Sequence, residues 1–132
     1  MSPGVRSSIH LCLGDISRRS ATEVQNLHSL VGRLAALDGV VGRVHVECSY
    51  AEQWADHGLL GDVPESIEVV AGIADVKSQP ESQGALEDKI AALLRVLPDR
   101  RLLVSSSCAC GRVPHDEAIW LMRSLVKTAG GG

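Results

Sequence analysis

The sequence predicts an α/β protein built from four βα units on a parallel sheet, and three observations carry that prediction. The period of the apolar residues switches between two and 3.6 in regular alternation, the pattern of strands that lead into helices. The strand candidates are short aliphatic runs, the longest of them continuous enough to be buried on both faces. The 132 residues are 45% apolar yet include only two Trp, one Tyr and no Phe, so the core is built from Leu, Val, Ile and Ala. A chain of this length forms a single domain with an ordinary hydrophobic core.

Residues 8–13 (SIHLCL) read as the first strand. Ser20 with Glu23 three positions on is a capping-box signature, and the helix it opens carries Val24, Leu27, Val31, Leu34 and Leu37 as its apolar stripe, closed by Asp38-Gly39. Residues 44–48 (VHVEC) form the second strand, and residues 51–57 a short helix stopped by Gly58. Residues 67–76 (IEVVAGIADV) are the third strand, followed by a helix with Leu86, Ile90, Leu93, Leu94 and Leu97 on one side, which Pro98 ends. Residues 102–106 are the fourth strand, and beyond Pro114 a last helix repeats Ala118, Leu121, Met122, Leu125 and Val126 at helical spacing. Alternating units of this kind call for a parallel sheet covered by helices. Two architectures satisfy them: an open doubly wound sheet, and half of a TIM-type (βα)8 barrel, a full barrel taking ~250 residues. Residues 1–129 read as one half-barrel-like domain and residues 130–132 as a flexible Gly tail.

Charge excludes some partners. Thirteen Lys and Arg against sixteen Asp and Glu give a net charge of −3, and the arginines form no basic run interleaved with aromatics, so nucleic acid is not expected. No apolar stretch reaches the ~20 residues that span a bilayer and the N-terminus has no signal-peptide core, which points to a cytoplasmic protein with no membrane partner. In a reducing compartment the four cysteines read as metal ligands, reactive thiols or core residues and not as disulfides. Neither a GxxxxGK[ST] loop nor a GxGxxG turn is present, so nucleotide binding has no support.

The strand ends hold the chemistry, because ligands bind at the carboxyl ends of parallel strands. His10 and Cys12, two residues apart, project from one face of the first strand. Glu47 and Cys48 end the second, Asp75 and Lys77 the third, and Cys108 and Cys110 follow the fourth. An imidazole, one or two thiolates and a carboxylate on one rim suit Zn2+, which takes N, S and O donors in a tetrahedron. The same residues also have plain readings: a satisfied core histidine, small buried cysteines, an exposed lysine, a turn aspartate. Arg112 and His115 fit a solvated loop or a contact to a substrate carboxylate.

The ordered set His10-Leu-Cys12, Val46-Glu47, Ile73-Ala-Asp75-Val-Lys77-Ser78, Val96-Leu-Pro98-Asp-Arg100-Arg-Leu102 and Ser107-Cys108-Ala-Cys110-Gly111-Arg112 resembles the catalytic domain of cobalamin-independent methionine synthases. It covers nearly the whole chain, in order. The resemblance implies a βα barrel with one catalytic zinc that holds a thiol substrate for methyl or alkyl transfer from a donor. By motif, the zinc ligands fall on His10, Cys12, Glu47 and Cys108, with Lys77 and Asp75 as the catalytic candidates. Two departures stand out: the family's Asp-Cys-Gly is Ser107-Cys108-Ala109 here, and Lys77 occupies the place of a histidine. The matched region corresponds to the second half of the barrel. Half a barrel exposes two strand edges and an inner face expected to be apolar, so the implied assembly is a homodimer or a heteromer with a half-barrel partner. The competing function is a non-catalytic zinc- or thiol-binding assembly module.

Overall fold

The computed structural model describes residues 6–14, 29–49, 58–77, 80–97 and 99–130. Four strands form one sheet: β1 (Ser8–Leu11), β2 (Arg43–Glu47), β3 (Glu68–Ala74) and β4 (Leu102–Ser106). All three neighbouring pairs are parallel, and the spatial order is β1-β2-β3-β4. The described helices are α1 (Gly58–Gly61), α2 (Gln83–Val96) and α3 (His115–Thr128), with a 3-10 turn at Leu34–Leu37. A doubly wound sheet reverses its strand order at a switch point. This order has no reversal among the described strands, so of the two expected architectures the doubly wound one does not fit.

The two faces of the sheet differ sharply. Register pairs Ile9 with Val44, Val44 with Val69 and Val69 with Leu102, and two residues on it pairs Leu11, Val46, Ala71 and Val104. With Leu13, Cys48 and Ile73 these form the apolar face, and Leu86, Leu93 and Leu97 around α2 and Leu121 and Leu125 of α3 bury it in one core cluster. The opposite face carries Ser8, His10, Arg43, His45, Glu47, Glu68, Gly72 and Ser105, with Val70 and Leu103 its apolar members. His10 on that face is exposed, and His45, Val70, Leu103 and Ser105 are half-buried. The expectation of an apolar inner face is therefore corrected. The continuous apolar look of residues 67–76 comes from Val70 and from Gly72 and Ala74, which add little apolar surface.

Several local expectations also shift. The capping box, the residues before Ser29 in the first helix and residues 51–57 lie outside the described residues. Gly58, read as a helix stop, lies within the helical residues of α1 instead. α2 starts where Ser82 accepts a hydrogen bond from the Ala85 N–H at 3.2 Å, an N-cap in front of the expected stripe. On α3 the buried residues are Leu121, Ser124 and Leu125, while Met122 and Val126 face outward, 43% and 59% exposed. Leu94 of α2 is likewise 46% exposed. In each case the 3.6-residue pattern was real but wider than the strip that meets the sheet. No described helix is long and apolar enough to cross a membrane.

Candidate metal centre

The site lies at the carboxyl ends of the strands, on the polar face. In β1, alternation turns His10 and then Cys12 toward it, and the Gly14 N–H donates to Cys12 Sγ at 3.3 Å. β4 brings the third donor from the far edge. Four strands at ~4.8 Å spacing hold β1 and β4 about 14 Å apart in a flat sheet, yet Cys108 Sγ stands 3.7 Å from His10 Nε2 and 4.0 Å from Cys12 Sγ. The crossing is made at Gly72. The β3–β4 register slips between Gly72 and Ala74, and a Cβ on Gly72 would stand 2.9 Å from both the Ser106 carbonyl oxygen and Ser107 Cα. With no side chain there, the end of β4 turns onto the polar face and carries Cys108 toward β1. Ser107 fastens this turn, its N–H donating to the Ala74 carbonyl at 2.8 Å and its hydroxyl accepting from the Val76 N–H at 3.3 Å.

The ligating atoms of His10, Cys12 and Cys108 all lie within 4.8 Å of one another, a group that could hold a metal ion. No model of a known protein family, no curated protein and no solved structure matches this chain. The likeness to methionine synthases therefore rests on the motif residues themselves.

The two edges that meet at Cys108 fit zinc geometry. Bonds of ~2.3 Å to sulfur and ~2.0–2.1 Å to nitrogen set tetrahedral S···S and S···N edges of about 3.8 and 3.6 Å. The observed separations are 4.0 and 3.7 Å. Burial is the main influence on the donors, pushing the His10 imidazole below its usual range and the Cys12 thiol above its own. Both shifts resist charge in the metal-free site, and a bound cation opposes the second of them.

Glu47 is not part of the trio. It is 1% exposed and both its oxygens are engaged: Oε1 accepts from Lys77 Nζ at 2.5 Å and Oε2 from the Leu13 N–H at 2.7 Å. Lys77 is thus no exposed loop lysine; its side chain is 1% exposed and paired with Glu47. Asp75 Oδ1 accepts from the Lys77 N–H at 2.8 Å and so shapes the turn that presents Lys77. Cys110 packs against the edge of the core, outside the trio, and Cys48 points to the apolar face, where burial pushes its thiol up to about 12. Arg112 and His115 are exposed.

Sequence reasoning passed over three contributors. His45, two residues before Glu47 and so on the same face, meets the His10 ring edge to edge through their Nδ1 atoms, with ring centroids 4.5 Å apart and planes 22° from parallel. Gly72 was legible as a glycine inside a strand, a mark of close backbone approach. Lys89, from α2, reaches the Ser49 and Ile73 carbonyls at 2.8 and 2.9 Å and pairs with Glu81, tying the ends of β2 and β3 together. Two clefts of about 480 Å3 lie elsewhere, one at the amino ends of the strands around Arg6, Glu68 and Arg101, the other along α3 beside Trp120. The convergence of donors and not cavity size marks the site.

Proposed function

We propose that this protein binds one zinc ion through His10, Cys12 and Cys108 and uses it to activate a thiol for methyl or alkyl transfer, in the manner of the methionine synthases it resembles. The observation that carries this reading is the trio's geometry, three soft and borderline donors within 4.8 Å of one another, with the two edges at Cys108 close to those of a zinc tetrahedron. Three protein ligands with a fourth position left over is the pattern of catalytic zinc; structural zinc sites are closed by four. Bound there, zinc supplies the positive charge that makes a thiol acidic near neutral pH.

The chain's own residues do the rest. Glu47 is the fourth donor expected from the motif, and Lys77 and the Leu13 N–H draw its two oxygens. The Lys77 ammonium competes with a metal for the carboxylate's charge, which leaves the fourth position to an incoming thiol. The thiol's sulfur forms a bond to the methyl carbon as the bond from that carbon to its leaving group breaks, and the thiol proton passes to solvent. Among the described residues both edge strands keep an unpaired side in the sheet, which supports an assembly with a second copy or a partner carrying further strands.

Purified protein is tested for zinc, and a small thiol such as homocysteine is tested for methylation by methyl iodide with wild-type and Cys108→Ser chains. One zinc per chain and a faster reaction that both vanish in the variant support the proposal. Zinc without acceleration returns the assembly-module reading; no zinc in the wild type refutes both.

A further inference from the structure

The geometry points to His45 as a positioning residue: through a chain of hydrogen bonds that begins at the Ser106 carbonyl, it fixes His10 in the tautomer whose Nε2 lone pair faces Cys12 and Cys108. This rests on the metal-site reading above, and it adds a residue that no motif assigned.

The directions of these hydrogen bonds follow one from another. His45 Nε2 lies 3.0 Å from the Ser106 carbonyl oxygen and 2.5 Å from Ser105 Oγ. A carbonyl oxygen only accepts, so His45 Nε2 carries the hydrogen. Ser105 Oγ spends its own hydrogen on the same carbonyl, at 2.9 Å, which leaves it free to accept from His45 as well. In a neutral imidazole the second nitrogen is then a lone pair, so His45 Nδ1 is an acceptor. It faces His10 Nδ1 in a direct hydrogen bond. Two facing nitrogens share one hydrogen, and the Ser106 carbonyl has already placed it: His10 Nδ1 donates. The remaining nitrogen of His10, Nε2, is left with its lone pair toward Cys108 Sγ, 3.7 Å away.

Gly72 makes this possible. A Cβ there would stand 3.0 Å from His45 Nε2, so the ring lies across β3 in the room that the missing side chain leaves and reaches from β2 to β4. A metal-binding histidine ordinarily gives its other N–H to a carboxylate, carbonyl or water, which fixes tautomer and ring direction. Here a second histidine passes that role on from a main-chain carbonyl, and the two rings, meeting edge to edge with planes only 22° apart, suit an in-plane N–H···N bond that holds the first one's plane.

The test uses the full chain labelled with 15N-histidine. Long-range 1H–15N spectra of metal-free protein at pH 8 distinguish ring nitrogens with and without hydrogen, and the five histidines are assigned with His10→Gln and His45→Gln variants. The expected result is His10 as the Nδ1–H tautomer and His45 as the Nε2–H tautomer. His45→Ala should lose the His10 preference and weaken zinc binding 10- to 100-fold in competition with a chelating dye. His45→Gln keeps an acceptor for His10 and should restore most of that affinity. A wild-type His10 with its hydrogen on Nε2 overturns the proposal, as does an alanine variant with tautomer and affinity unchanged, or a glutamine variant as weak as the alanine one. Should the alanine variant not fold, the wild-type tautomers and the glutamine variant decide. Absence of zinc uptake with the expected tautomers would refute the metal reading and leave the role of His45 standing; zinc uptake with the opposite tautomer would do the reverse.

Discussion

Replacing Lys77 by methionine removes the ammonium that holds Glu47 while keeping a side chain of similar length. Both members of the pair are buried, with side-chain exposures of 1% and 0%. In the variant Glu47 Oε1 loses its 2.5 Å partner, and the carboxylate keeps the Leu13 N–H at Oε2. An uncompensated buried charge of this kind costs ~3–5 kcal/mol. That is a fifth or more of a total stability of ~5–15 kcal/mol. Glu47→Gln leaves the buried Lys77 ammonium without its carboxylate and should cost a similar ~3–5 kcal/mol. The double variant should cost less than the sum of the singles by at least ~1 kcal/mol, because neither charge is left alone. Urea unfolding of the metal-free protein at pH 7, with unchanged m, reads all three. Zinc affinity should move the other way: a carboxylate released from Lys77 can join the trio, so Lys77→Met should bind zinc more tightly than wild type. A Lys77→Met cost under ~1 kcal/mol, or additive single variants, would refute the view that this pair is what holds Glu47 back.

His10→Ala, Cys12→Ser and Cys108→Ser should each abolish stoichiometric zinc, Cys110→Ser should keep it, and Glu47→Gln should also keep it; metal analysis that exchanges the results for Cys108 and Cys110 would move the ligand to Cys110. In iodoacetamide labelling at pH 8, Cys48, whose thiol burial pushes up to about 12, should stay unmodified until the chain unfolds, while zinc should protect Cys12 and Cys108 and leave Cys110 to react; rapid labelling of Cys48 in folded protein would contradict its burial. Gly72→Ala should cost ~1–3 kcal/mol in urea unfolding, because the new methyl meets the Ser106 carbonyl and Ser107 Cα at 2.9 Å, and should weaken zinc binding by displacing the turn that carries Cys108; unchanged zinc affinity would show that the turn does not depend on this gap. Sedimentation should find a species near twice the 14.0 kDa chain, and a compact folded monomer at micromolar concentration would remove the paired-edge assembly.

The alternation of strands and helices was legible because each signal is local. A run such as Val-His-Val-Glu-Cys declares its two faces by period alone, and the structure keeps that division, with Cys48 in the core and Glu47 opposite. The joining of His10, Cys12 and Cys108 was legible only as far as strand ends converge. What sequence could not show is the choice between Cys108 and Cys110, because it depends on a register slip at Gly72 and Ala74 and on which thiol the turn carries across. Nor could it show Lys77 turned inward, since a lysine after a strand is usually solvated and its burial here depends on a carboxylate thirty residues away in sequence. Met122 and Val126 failed in the other direction: helical spacing marks an apolar strip, but the width of the strip that is buried is set by the sheet, and α3 meets it through Leu121 and Leu125.

The polar face explains why this sheet suits chemistry that a half-covered apolar sheet would not. A parallel sheet is ordinarily buried on both sides, since crossover helices leave little surface for polar residues. Here the described helices gather on the side of Val44, Val69 and Ile73, and the other side is lined by imidazoles, carboxylates, thiols and hydroxyls. That arrangement concentrates donors at the carboxyl ends of the strands. His45 on β2 reaches Ser105 on β4 at 2.5 Å, across a β3 that offers only Gly72 between them. Strands two places apart stand about 9.6 Å from each other, two spacings of ~4.8 Å, and the His45 side chain spans that distance only because Gly72 has none of its own. The gap at Gly72 thus serves both the crossing of Cys108 to β1 and the bridge from His45 to His10. A substitution that fills it, Gly72→Ala above all, should therefore disturb the metal trio and the histidine pair together, whereas one that only removes a donor should leave the other arrangement intact.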